Sequence, residues 1–110
     1  MRRIAAHWVL SQKIWDLSYL ELDVNQILLG LHPLREELAS TVFYDGMLVP
    51  VPASEPPIRE AAELIRRWRE LTARVAIGDR VTVYRLFGIP RSAAELGASY
   101  GGSDGHIERL

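Results

Sequence analysis

The sequence predicts an α+β domain: an antiparallel or mixed β-sheet of about six to seven short strands with one long amphipathic helix (57–75) packed on it. Three observations lead to that class. Apolar residues recur at helical spacing from Pro57 to Val75 and over no other stretch of comparable length. On both sides of it the chain breaks into strand-length runs that alternate or stay apolar. The connections between these runs are mostly short.

On a wheel of 100° per residue, Ile58, Ala61, Ala62, Leu64, Ile65, Trp68, Leu71, Thr72 and Val75 occupy one half of the helix. Arg59, Glu60, Glu63, Arg66, Arg67, Arg69, Glu70 and Arg74 occupy the other. A half-circumference of apolar surface is too wide for a two-stranded seam and suits a helix lying on a sheet. Pro56 and Pro57 fit a first turn, whose N–H groups have no partner to lose, and Gly78 is a natural stop.

In chain order, Arg2–Leu10 alternates Ile4, Ala6, Trp8 and Leu10 against Arg3, Ala5, His7 and Val9, the period of a strand. Leu17–Leu22 is a second strand, ended by the turn formers Asp23-Val24-Asn25, and Gln26–Leu31 a third, stopped by Pro33. Leu34–Ser40 suits one helical turn. Within Thr41–Val51, Asp45-Gly46 between two apolar runs predicts a two-residue type I′ hairpin, with Pro50 and Pro52 confining the returning strand to an edge or a terminus. Beyond the helix, Gly78-Asp79 turns the chain into a strand at Arg80–Leu86. Ser92 and Glu95 form a capping-box pattern for a short turn through Leu96, and His106–Leu110 returns as a last strand. The expected core is Trp8, Leu20, Leu22, Val42, Leu48, Ile65, Trp68, Leu71, Val81 and Val83.

Composition narrows the functional classes. A chain of 110 residues with 48% hydrophobic content reads as a single domain, 1–110, able to bury a core without a staple. It has no cysteine, which removes disulfides and thiolate metal sites and favours the cytoplasm. No apolar run reaches membrane-spanning length, and a net charge of −1 leaves no footprint for nucleic acid or an anionic membrane.

Motifs that resemble active sites lack the context that their chemistry needs. Gly97-Ala98-Ser99-Tyr100-Gly101, followed by Asp104 and His106, matches a nucleophile-elbow pattern, but an elbow needs a strand before the serine and a helix after it. Here a helical turn precedes and more glycine follows. His7, His32 and His106 show no ligand spacing. No catalytic, cofactor-binding or metal residue is therefore assigned. Trp15, with Ile14 and Phe87, has no cover implied by the pattern, and these three mark an expected interaction surface.

Arg3–Leu10, Leu20-Glu21-Leu22-Asp23, Ile27-Leu28 and Val42–Pro50 together resemble the leading strands of metal-dependent amidohydrolases, and His106–Leu110 resembles the strand that returns to their small sheet. The resemblance implies the accessory sheet alone. Where that family carries His-x-His this chain reads Val51-Pro52-Ala53-Ser54, and the residues that remain are too few for the barrel. No ligand or catalytic residue transfers.

Two classes of function follow from these readings. The first is a non-catalytic binding or assembly module that pairs with a partner protein or, as a two-fold dimer, with itself, through unprotected edges at Gln26–Leu31 and Val81–Leu86. The second is a small ligand-binding domain or hydrolase with a pocket near the Gly97–Gly105 loop.

Overall fold

A computed structural model describes residues 1–36, 38–97 and 105–110. Six strands and two helices follow in the order β1 (Arg2–Ser11), β2 (Lys13–Leu22), β3 (Leu28–Pro33), β4 (Thr41–Pro52), α1 (Ala61–Ala73), β5 (Val81–Phe87), α2 (Arg91–Leu96) and β6 (His106–Arg109). The strands form one mixed sheet in the order β3-β2-β1-β4-β5-β6, in which β1 and β4 run parallel and every other pair is antiparallel.

The sheet coils until the residues that lead into β3 meet those that lead into β5. Ile27 bridges Arg80, and the N–H groups of Leu28, Gly78 and Val81 donate to the carbonyls of Asp79, Leu28 and Gln26 at 2.9, 2.8 and 2.9 Å. The first five strands thus make a small, partly closed barrel. Its concave side is filled by Ile4, Ala6, Val9, Leu20, Leu22, Leu28, Leu48, Val81 and Val83. On the convex side, Leu10, Met47, Val49, Val51, Tyr84 and Leu86 pack against Ile58, Leu64, Ile65, Trp68 and Leu71 beneath the helices.

The helix is shorter than its periodicity predicts, running 61–73 instead of 57–75. Proline at positions 56 and 57 disfavours helical backbone in the residue before each, and the extended path continues to Glu60, whose ψ is 127°. Ile58 is held there as part of the core, its N–H donating to the Tyr84 hydroxyl at 3.0 Å. At the other end, Arg74 and Val75 bond back to Leu71 and Thr72 and tighten the last turn. Thr72 also accepts from the Gln12 N–H at 2.8 Å, fastening the tip of the β1–β2 hairpin to the helix.

Glu55 ties the extended lead-in to the helix, accepting from Arg67 at 2.8 Å and Arg74 at 3.0 Å. The hydrogen bond from Arg67, then that from Arg74, holds its carboxyl below the ordinary carboxylate range. A group whose folded pKa is depressed adds stability above its unfolded pKa, near 4.3 for glutamate, and loses it as the pH falls toward the folded value. Glu55→Gln is therefore expected to melt below the unmodified protein at pH 7, with the gap closing under acid. Melting curves at pH 7 and pH 3 that stay equally far apart would refute this.

Leu34–Glu36 and Leu38–Ser40 carry no helix, against the expected turn, and lead from β3 back across the sheet to β4. The expected hairpin is also absent. Thr41–Pro52 is one twelve-residue strand, and Asp45-Gly46 makes a bulge in it, two residues standing opposite His7 of β1 alone. Gly46 has the positive φ, 105°, that the motif asks for, but spends it inside a strand. The alternation of β1 breaks at the same level: Ala6 and Val9 both line the concave core, and Trp8 packs on the convex one.

Candidate functional site

β4 changes partners half-way along. Its first part pairs with β1 from Thr41 to Leu48, and its last part pairs with β5 from Met47 to Pro52. Among the described residues, Met47 and Leu48 alone in β4 have a strand on both sides. Each half therefore presents one backbone edge that its own sheet does not use.

The two open edges are treated differently by the sequence. In the second half, Pro50 and Pro52 pair with Val83 and Val81 through β5 and carry no N–H to offer the other side. In the first half, Thr41-Val42-Phe43-Tyr44-Asp45 has neither proline nor lysine, and its residues are β-branched or aromatic through the middle. Val42 was an expected core residue. It is 51% exposed, because β5 has already turned away at this level and nothing described covers its concave-side methyl groups. Phe43, on the opposite face, is 47% exposed.

Among the described residues, this segment has neighbours along its open edge and on its convex face. Arg85 Nε donates to the Asp45 carbonyl at 2.9 Å, its guanidinium stands 4.0 Å from the Phe87 ring centroid, and it pairs with Glu108 at 3.4 Å. On the convex face the His7 ring meets Phe43 edge-on at 5.1 Å and its Nε2 lies 3.1 Å from Asp45 Oδ1. Phe43 also lines an open groove of about 340 Å³ with Leu17, Leu34, Leu38, Arg35, Glu36 and Thr41, mainly apolar in character. Thr41 Oγ1, at its rim, is buried without a hydrogen-bond partner among the described residues.

Of the two edges expected to be open, the one at Val81–Leu86 is closed, and the one at Gln26–Leu31 stays at the end of the sheet but is bridged at its start and blunted beyond it. β5 is flanked by β4 on one side and by β6 on the other, and the residue before it bridges Ile27. β3 carries a bulge at Leu29 and a proline at its end, both devices that blunt an edge. Sequence reasoning missed the first half of β4 because a hairpin there would have paired it with Met47–Val49.

Of the residues expected to form a contact surface, Ile14 packs against the helix-side core and Trp15 against the concave one, its Nε1–H donating to the Ser11 carbonyl at 3.0 Å. Phe87 lies where β5 parts from β4, with its Cα 3.2 Å from the place a Gly46 Cβ would occupy and its ring stacked on His106 at 5.1 Å. It therefore borders the open edge. The hydrolase motif and the pocket proposed at 97–105 fall mostly on residues 98–104, which lie outside the described residues.

Among the described residues two His–carboxylate pairs are present, His7 with Asp45 and His32 with Glu21 at 2.7 Å, and neither has a hydroxyl nucleophile there as a hydrogen-bond partner. Among the described residues no group of three or more His, Asp or Glu side chains could hold a metal ion, and no helix is long and apolar enough to cross a membrane.

No protein-family model matches the chain, and no curated protein or solved structure does so either. The likeness to an amidohydrolase accessory sheet gains no support from these comparisons, and the open edge does not depend on it.

Proposed function

We propose that this protein is a non-catalytic, cytoplasmic assembly module that binds by strand addition, a partner strand lying against Thr41–Asp45 of β4. The carrying observation is the asymmetry of the two open edges. The half with Pro50 and Pro52 is defended, and the half with Val42 and Phe43 is exposed on both faces. An undefended apolar edge is a hazard in a folded protein unless something pairs with it. Backbone hydrogen bonds would supply the affinity of such a contact, and the side chains that alternate across its two faces would supply the selectivity.

The test uses a peptide with the sequence of residues 39–46, titrated into dilute isotope-labelled protein. The amide resonances of Thr41–Asp45 should shift together, well beyond those of the prolines' neighbours Val49 and Val51. A titration that leaves the five amides in place, or that moves β3 or β6 instead, would remove the basis of the proposal.

A further inference from the structure

Resting on that reading, we infer that the strand added to β4 is the same segment of a second copy, antiparallel, with the two-fold axis passing through Phe43. The Asp45 carbonyl points toward the β5 side, where Arg85 Nε reaches it. In a strand, the N–H and C=O of every second residue point the same way, so Phe43 and Thr41 present theirs to the open edge while Val42 and Tyr44 turn to β1.

The free window sets the register. It begins at Thr41, where β4 starts, and ends at Asp45, beyond which Gly46 lies against Leu86 and Phe87. In an antiparallel two-fold pair the axis must pass through a residue position, because opposed side chains share a face. An axis at Phe43, the middle of the window, opposes all five residues and engages every outward-facing N–H and C=O except the Asp45 carbonyl, which already accepts from Arg85. An axis at Val42 or Tyr44 leaves residues at one end unpaired or drives the second copy into the end of β5.

The side chains that this register brings together are complementary. Phe43 meets Phe43 of the second copy on the convex face. Val42 meets its Tyr44 on the concave face, an aromatic and β-branched pair of the kind that stabilises cross-strand contacts. Thr41 stands opposite its Asp45, so no like charges are opposed. The two copies would continue each other's sheet, and Val42 and Phe43 would lose the exposure that sets them apart from the other apolar residues of β4.

The absence of cysteine makes the register directly measurable. Opposed residues in an antiparallel pair have Cα atoms about 4.5–5.5 Å apart, within the span of a disulfide, whereas residues offset by two fall outside it. Under glutathione oxidation, Phe43→Cys alone should form a covalent dimer of two 12.4 kDa chains. Val42→Cys and Tyr44→Cys should each stay monomeric alone and cross-link when mixed, an arm that leaves Phe43 in place. Sedimentation equilibrium of the unmodified protein should show a mass rising toward the dimer with concentration. Self-linking of Val42→Cys would overturn the register. A mass fixed at one chain, with no cross-link in any arm, would overturn self-pairing, and the peptide titration then decides separately whether strand addition itself stands.

Discussion

Replacing Gly46 by valine is expected to cost at least about 3 kcal/mol and to leave the domain largely unfolded under conditions where the unmodified protein is native. Two independent effects act at this position. The backbone has φ of +105°, which a β-branched residue does not tolerate. An added Cβ would also sit 2.1 Å from the Leu86 carbonyl oxygen, a backbone atom that can move only by separating β4 from β5. Gly78 provides the control: its φ is +98°, yet a Cβ there meets nothing within 4 Å. Gly78→Ala therefore carries the backbone strain alone, about 1–3 kcal/mol, and Gly46→Ala should be clearly worse. Urea denaturation of the two alanine variants separates strain from collision, and equal midpoints would contradict the close approach at the bulge.

Trp68→Ala is the second large effect, expected at about 3–5 kcal/mol. Trp68 is 1% exposed in the middle of the convex core, and the indole both fills the space between α1 and α2 and donates its N–H to the Ala94 carbonyl at 3.0 Å. The substitution opens a cavity and removes that hydrogen bond. Trp68→Phe keeps most of the volume and loses the hydrogen bond, so it should recover more than half of the deficit, the bond itself contributing about 1 kcal/mol. A phenylalanine variant no more stable than the alanine one would mean that the hydrogen bond to α2, and not the packing, dominates.

The elements that local chemistry determines are legible in the sequence. β1, β5 and the final strand fall within a residue or so of their expected places, and the periodicity of Leu64, Ile65, Trp68 and Leu71 identified the buried helix face. What failed depended on partners distant in sequence. Asp45-Gly46 has the residues of a hairpin turn, but the reversal never happens because β1 and β5 each take one half of β4 and hold it straight. The helix start moved to Ala61 because the extended path that follows Pro56 and Pro57 continues to Glu60, with Ile58 held in the core by Tyr84, twenty-six positions away. For the same reason the candidate site was invisible: an open edge is defined by where a neighbouring strand stops, and no residue within Thr41–Asp45 records where β5 leaves.

The parallel pairing of β1 with β4 also has a consequence for how the domain is made. β1 and β2 are joined by a tight hairpin and can form as soon as both have left the ribosome. The other side of β1 must wait for Thr41–Leu48, some forty residues later in synthesis, and β4 in turn waits for β5 beyond the helix. Loop-closure entropy has to be met before those distant contacts contribute anything, so the nascent chain passes through a stage in which the middle of its future barrel is an exposed apolar ribbon. Chaperone binding during translation should accordingly begin once β1 and β2 emerge and end only after Phe87 has been added.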